Sequence, residues 1–107
     1  MAGTADGPLP TADDAKLETL ARAVRARTGA AVAVAARDDL GRTYVASSVE
    51  LTALRLTAVQ ALAAVVVSSG TERLDTVLVT GGPGRLSEED RRVLDDLSVA
   101  TVLHSDA

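Results

Sequence analysis

The chain is 107 residues long, 47% hydrophobic and formally −4 at pH 7, with 15 acidic against 11 basic residues. That length supports one domain with a core of its own and not two. The negative charge opposes general nucleic-acid binding, which needs a basic field to displace counterions from phosphate. The absence of cysteine excludes disulfides, thiol nucleophiles and thiolate metal sites together.

The apolar content is unusual in kind. There is no Phe or Trp and one Tyr, Tyr44, so the core must be built from Ala, Val and Leu, with no large aromatic platform on which a base could stack. Residues 1–10 (MAGTADGPLP) lack the basic start and apolar stretch of a signal peptide and are expected to form a flexible tail, leaving 11–107 as a single domain. The most apolar stretch, Ala58 to Val67, is too short to span a membrane. The expected location is cytoplasmic.

Thr11 or Asp13 can cap a first helix. Leu17, Leu20, Ala21 and Val24 recur at i, i+3, i+4 and i+7, placing one apolar stripe on a helix that ends near Gly29. Ala31 to Ala36 reads as a short strand and Asp38-Asp39-Leu40-Gly41 as a turn. Arg42 to Ser47 reads as a second strand, so the two form an antiparallel hairpin.

From about Thr52 to Ser69 the chain is apolar on nearly every side, and its length favours a helix buried by more than its own sheet or by a subunit interface. Thr76 to Thr80 is the clearest strand. Gly81-Gly82-Pro83-Gly84 breaks it, and Ser87 with the acids after it starts a helix through Leu97. Val99 to Leu103 closes the order as a strand parallel to the one before, since a helix of this length makes a right-handed crossover. The order α-β-β-α-β-α-β predicts a three-layer α-β-α sandwich with a mixed sheet.

This order, and three stretches within it, resemble the cytidine deaminase superfamily. Gly41-Arg42-Thr43-Tyr44-Val45-Ala46-Ser47-Ser48-Val49-Glu50 is similar to the family's second strand, with its pattern GKxYxGCNVEN. Pro83-Gly84-Arg85-Leu86-Ser87 resembles the stretch before the family's second metal motif, and Arg91-Arg92-Val93-Leu94 the segment that ends it. The resemblance spans roughly residues 12–105. It implies a chemistry in which Zn²⁺, held by one His or Cys and two further Cys, activates water for attack on the base while a Glu moves the protons.

The residues that carry that chemistry are missing. The first motif, [HC]-x-E, falls on Ala58-Val59-Gln60 or one residue later, and the second, P-C-x-x-C, shrinks to Ser87 and Glu88-Glu89-Asp90. Neither Ala58 nor Ser87 replaces a thiolate. Gln60 keeps the shape of Glu but accepts no proton at neutral pH. The acids after Ser87 serve most simply to compensate the helix dipole. Of the residues that hold ribose hydroxyls in the family, Ser48 and Glu50 match in position, Glu50 alone in kind; the Phe that contacts the pyrimidine has no counterpart.

Two further signals have plain readings. Gly81 to Gly84 lies between a strand and a helix start, where backbone N–H groups can cradle an anion, but it lacks the Lys-Ser/Thr of a phosphate loop and reads as an ordinary turn. His104, Ser105 and Asp106 are neighbours in an extended segment, so they point to opposite faces and form no triad.

The sequence therefore leads to a catalytically inactive deaminase-like domain, not an enzyme, with no metal and no cofactor. Its catalytic positions are the degenerate Ala58, Gln60, Ser87 and Glu88. Such a domain acts through homo-oligomeric assembly or a protein partner. The alternative is a nucleoside- or nucleotide-binding module that uses Ser48, Glu50 and the 81–84 turn.

Overall fold

The structure, a computed structural model, describes residues 11–105; the expected tail at 1–10 lies outside them. Helix α1 (Ala12–Thr28) begins where the Thr11 side chain accepts the Asp14 N–H. It stops at Gly29, whose φ of 70° suits glycine and lets its N–H reach the Arg25 carbonyl. Strands β1 (Val32–Arg37) and β2 (Thr43–Ser47) pair antiparallel with Ala35 opposite Val45.

The segment expected as one long helix from Thr52 holds two elements, a short strand and then the helix. Strands β3 (Val49–Glu50) and β4 (Arg55–Leu56) pair in a small second sheet, and α2 (Ala58–Ser68) follows. Local chemistry sets that later start. The Thr57 hydroxyl accepts the Gln60 N–H and the Gln60 side-chain oxygen accepts the Thr57 N–H, a capping box that fixes the helix start at Thr57 whatever the hydropathy before it.

Strand β5 (Thr76–Gly81), helix α3 (Glu88–Asp96) and strand β6 (Thr101–Ser105) complete the fold. Strand β6 starts two residues later than the sequence indicates, because Ser98 takes a positive φ of 54° and carries the chain around a turn. The main sheet has the order β2-β1-β5-β6. The first three strands run antiparallel to their neighbours, and β5 and β6 run parallel, as the crossover requires.

Alternation along the strands sorts the core into two layers. Val34, Ala36, Val77 and Val79 pack beneath α2 and α3 with Val59, Leu62, Val66, Leu94 and Leu97. Ala35, Leu78 and Leu103 face the other way, onto Leu17 and Ala21 of α1. The molecule is thus the expected three-layer sandwich. Among the described residues, the buried apolar side chains are all Ala, Val or Leu.

Candidate functional site

The starts of α2 and α3 lie side by side at one end of the sheet. The Thr57 hydroxyl, already capping α2, donates to Asp90 Oδ1 at 2.8 Å. Asp90 sits in the first turn of α3, where its own N–H is held by the Ser87 hydroxyl. One hydrogen bond between side chains therefore ties the two helix starts together, and Asp90 is 9% exposed.

Between them opens a cavity of about 490 Å³. Ala58, Val59, Val79 and Leu86 are among its apolar lining residues, and Ser48, Glu50, Arg55, Arg85, Asp90 and His104 among its polar ones. The volume is that of a site for a small ligand, and a mostly apolar cleft with a few converging polar groups is the usual form of one.

Topology explains how distant residues meet here. The hairpin brings Ser48 and Glu50, the parallel pairing sets His104 opposite Val79, and the turn after β5 returns Gly84 to Ser87 over the opening. Gly81 makes that return: its φ is 86°, and a Cβ there would stand 2.2 Å from the Ala31 carbonyl oxygen. No larger residue fits.

The structure brings Ser48, Glu50, Ala58, Gln60 and Ser87 to this one cavity. Glu88 is not among its lining residues; it is exposed and stands 3.8 Å from Arg92. The Gln60 side chain is spent on the cap of α2. The 81–84 turn, read from sequence as an ordinary connection, contributes Gly81, Pro83 and Gly84 to the lining. His104, dismissed as a triad member, lines the cavity and is 4% exposed. Its only signal in the sequence was that it is the sole histidine.

The model of the cytidine deaminase-like family matches residues 10–107. The chain belongs to that family. No curated protein matches it, but solved structures do. Cytidine deaminase from Mycobacterium leprae is 23% identical with a TM-score of 0.68, over 81% of this chain and 82% of that one. The Burkholderia pseudomallei enzyme is 20% identical with a TM-score of 0.69, over 82% and 84% of the two chains. A point mutant of the Mycobacterium tuberculosis enzyme is 26% identical with a TM-score of 0.68, over 91% and 87%.

Membership corrects the expectation that the chain is not an enzyme. The matched family and these neighbours, all cytidine deaminases, point to an enzyme. The physical reason is that missing thiolates remove one way of activating water; they say nothing of the other polar side chains, Glu50, Asp90 and His104, that line the same cavity.

The zinc that the family implies does not fit these residues. The helix starts offer a methyl group at Ala58, an amide already used at Gln60 and a capping hydroxyl at Ser87. The sequence contains no cysteine, and the described residues hold no cluster of three or more His, Cys, Asp and Glu able to bind a metal. Also among the described residues, no helix is long and apolar enough to cross a membrane.

Proposed function

We propose that the cavity over Ala58 and Ser87 binds a nucleoside and that the chain, as a member of an enzyme family, acts on that ligand without a zinc-bound water. The supporting observation is the cavity itself: a space of about 490 Å³ whose lining joins Ser48 and Glu50 with the apolar Ala58, Val59, Val79 and Leu86. Glu50 accepts sugar hydroxyls in this reading, and proton exchange falls to Asp90 and His104 at the inner wall.

A thermal-shift and calorimetric screen of cytidine, uridine, adenosine and guanosine tests the proposal, with each mixture followed by chromatography for a product. A bound nucleoside at a hundredfold its Kd adds about 2.7 kcal/mol of stability. Absence of any shift at millimolar nucleoside would sink the reading.

Assembly is a second proposal with its own observation. Leu51 and Leu54 at the β3–β4 turn and Val65 and Val67 on α2 are exposed, and a homo-oligomer would cover such side chains. Sedimentation velocity that finds only monomer at high concentration would rule it out. A cytoplasmic location goes with this reading, in keeping with an acidic chain that carries no cysteine.

A further inference from the structure

We infer that the ligand of this cavity carries a phosphate group, so that the site takes a nucleoside monophosphate in preference to a neutral nucleoside; the inference rests on the nucleoside reading above. It begins with charge. Arg55 comes from β4 and Arg85 from the turn before α3, and both are exposed side chains lining the same opening. Among the described residues neither forms an ion pair, although Arg55 stands directly across the strand pair from Glu50.

Two carboxylates, Glu50 and Asp90, line the cavity with these two cations, and neither forms an ion pair with them among the described residues. Asp90 accepts the Thr57 hydroxyl and sits in the first turn of α3, so its charge already has a donor and a helix start. Asp90 is thus tied to the two helix starts, and Glu50 is the lining carboxylate that stands across a strand pair from one of the guanidinium groups. Two guanidinium groups from separate segments suit a dianion, because each can offer a planar pair of N–H donors to phosphate oxygens.

The donors around them agree. The Ser48 hydroxyl oxygen is buried at the cavity and has no hydrogen-bond partner in the protein. Thr57, Ala58, Val59 and Gln60 all line the cavity, and the first turn of α2 contains no acid, whereas α1 has Asp13 and Asp14 there and α3 has Glu88, Glu89 and Asp90. The Thr57 hydroxyl serves the third N–H of α2, and the helix supplies no acceptor for the first two. An apolar wall beside two cations and unserved donors matches a ring joined to an anionic group.

Isothermal titration of the full chain with cytidine, cytidine monophosphate and inorganic phosphate separates the outcomes. The monophosphate is expected to bind at least about tenfold more tightly than cytidine, and its affinity to fall as salt rises from 50 to 300 mM while that of cytidine stays level. The double variant Arg55→Gln/Arg85→Gln should bring the monophosphate down to the variant's own affinity for cytidine and abolish the salt dependence of its binding. The salt series needs no variant, so the test stands even if the double variant folds poorly. Equal affinity for cytidine and its monophosphate overturns the inference and leaves the nucleoside reading intact. Inorganic phosphate binding as tightly as the monophosphate also overturns it, since the ring then contributes nothing. Failure of all three to bind removes both.

Discussion

Two polar regions lie at opposite ends of β1 and treat their buried groups differently. At the turn after β1, Asp38 is 2% exposed, and its carboxylate accepts from the Leu40 N–H, the Arg42 N–H, the Arg42 guanidinium and the Tyr44 hydroxyl. Tyr44 then shares a hydrogen bond with Thr71. At the cavity, the Ser48 hydroxyl has no partner in the protein, and two arginines lack ion pairs among the described residues. A satisfied network stabilises a fold, whereas polar groups left open beside a cavity are suited to a ligand.

The largest expected effect comes from breaking the satisfied end. Asp38→Ala strands four donors in and around a buried turn, and thermal unfolding should fall on the order of 10 °C. Burial by itself opposes ionisation of Asp38, but the hydrogen bonds from Arg42, Tyr44 and Leu40 outweigh it and hold the pKa at about 2 against an ordinary 3.8. The folded value lies below the unfolded one, so this stability is present above pH 3.8 and is lost as pH falls towards 2. Denaturant titrations at pH 5, 4 and 3 should show wild type losing stability and Asp38→Asn losing less. Parallel slopes would contradict the assignment.

Next is the bond that joins the two helix starts. Thr57→Val removes both the cap of α2 and the donor to Asp90. The expected cost is roughly 1–2 kcal/mol by denaturant unfolding, with weaker nucleoside binding as the cavity wall loosens. Thr57→Ser keeps the hydroxyl and should restore most of both. A Ser variant as impaired as the Val variant would show that packing of the methyl group, not the hydrogen bond, matters there.

The open end separates affinity from stability. Glu50 is exposed, so Glu50→Gln should change stability by no more than about 0.5 kcal/mol. Nucleoside affinity should fall about tenfold, as expected for the loss of a charged acceptor to hydroxyl groups, worth roughly 1.4 kcal/mol. Paired melts and titrations measure the two quantities on the same sample. Equal losses in both would place Glu50 with the Asp38 network and not with the ligand.

The two regions were unequally legible in the sequence. The periodicity of Leu17, Leu20, Ala21 and Val24 and the Gly at 29 placed α1 to within a residue or two, and the β1–β2 hairpin and the parallel β5–β6 step followed from segment lengths. The run from Ala53 to Val67 concealed the start of α2, because hydropathy is continuous there. The signal that marks the boundary is Thr57 followed three residues later by Gln60. Strands of two residues, like β3 and β4, are too short to show a period. His104 enters the cavity through its pairing opposite Val79, and such a register is a property of the assembled sheet, not of the residues around it. Asp38 read only as a turn residue for the same reason: Tyr44 and Thr71 reach it through the fold.

The smallest expected effect is a null one, and it tests what joins the helix starts. If the Thr57–Asp90 hydrogen bond holds α2 and α3 together, stripping metal from the chain should leave its melting temperature unchanged. A structural zinc would behave otherwise, since its binding energy is part of the folding energy and chelation would lower the midpoint sharply. The measurement is a pair of thermal melts, with and without EDTA, alongside metal analysis of the purified protein. Well under one zinc per chain and superimposable melts are expected from a site that offers only the methyl group of Ala58, the already engaged amide of Gln60 and the capping hydroxyl of Ser87. Stoichiometric zinc with a chelator-sensitive melt would mean that Asp90 and His104 move to bind it. The hydrogen bond to Thr57 would then be only one of two arrangements of the site.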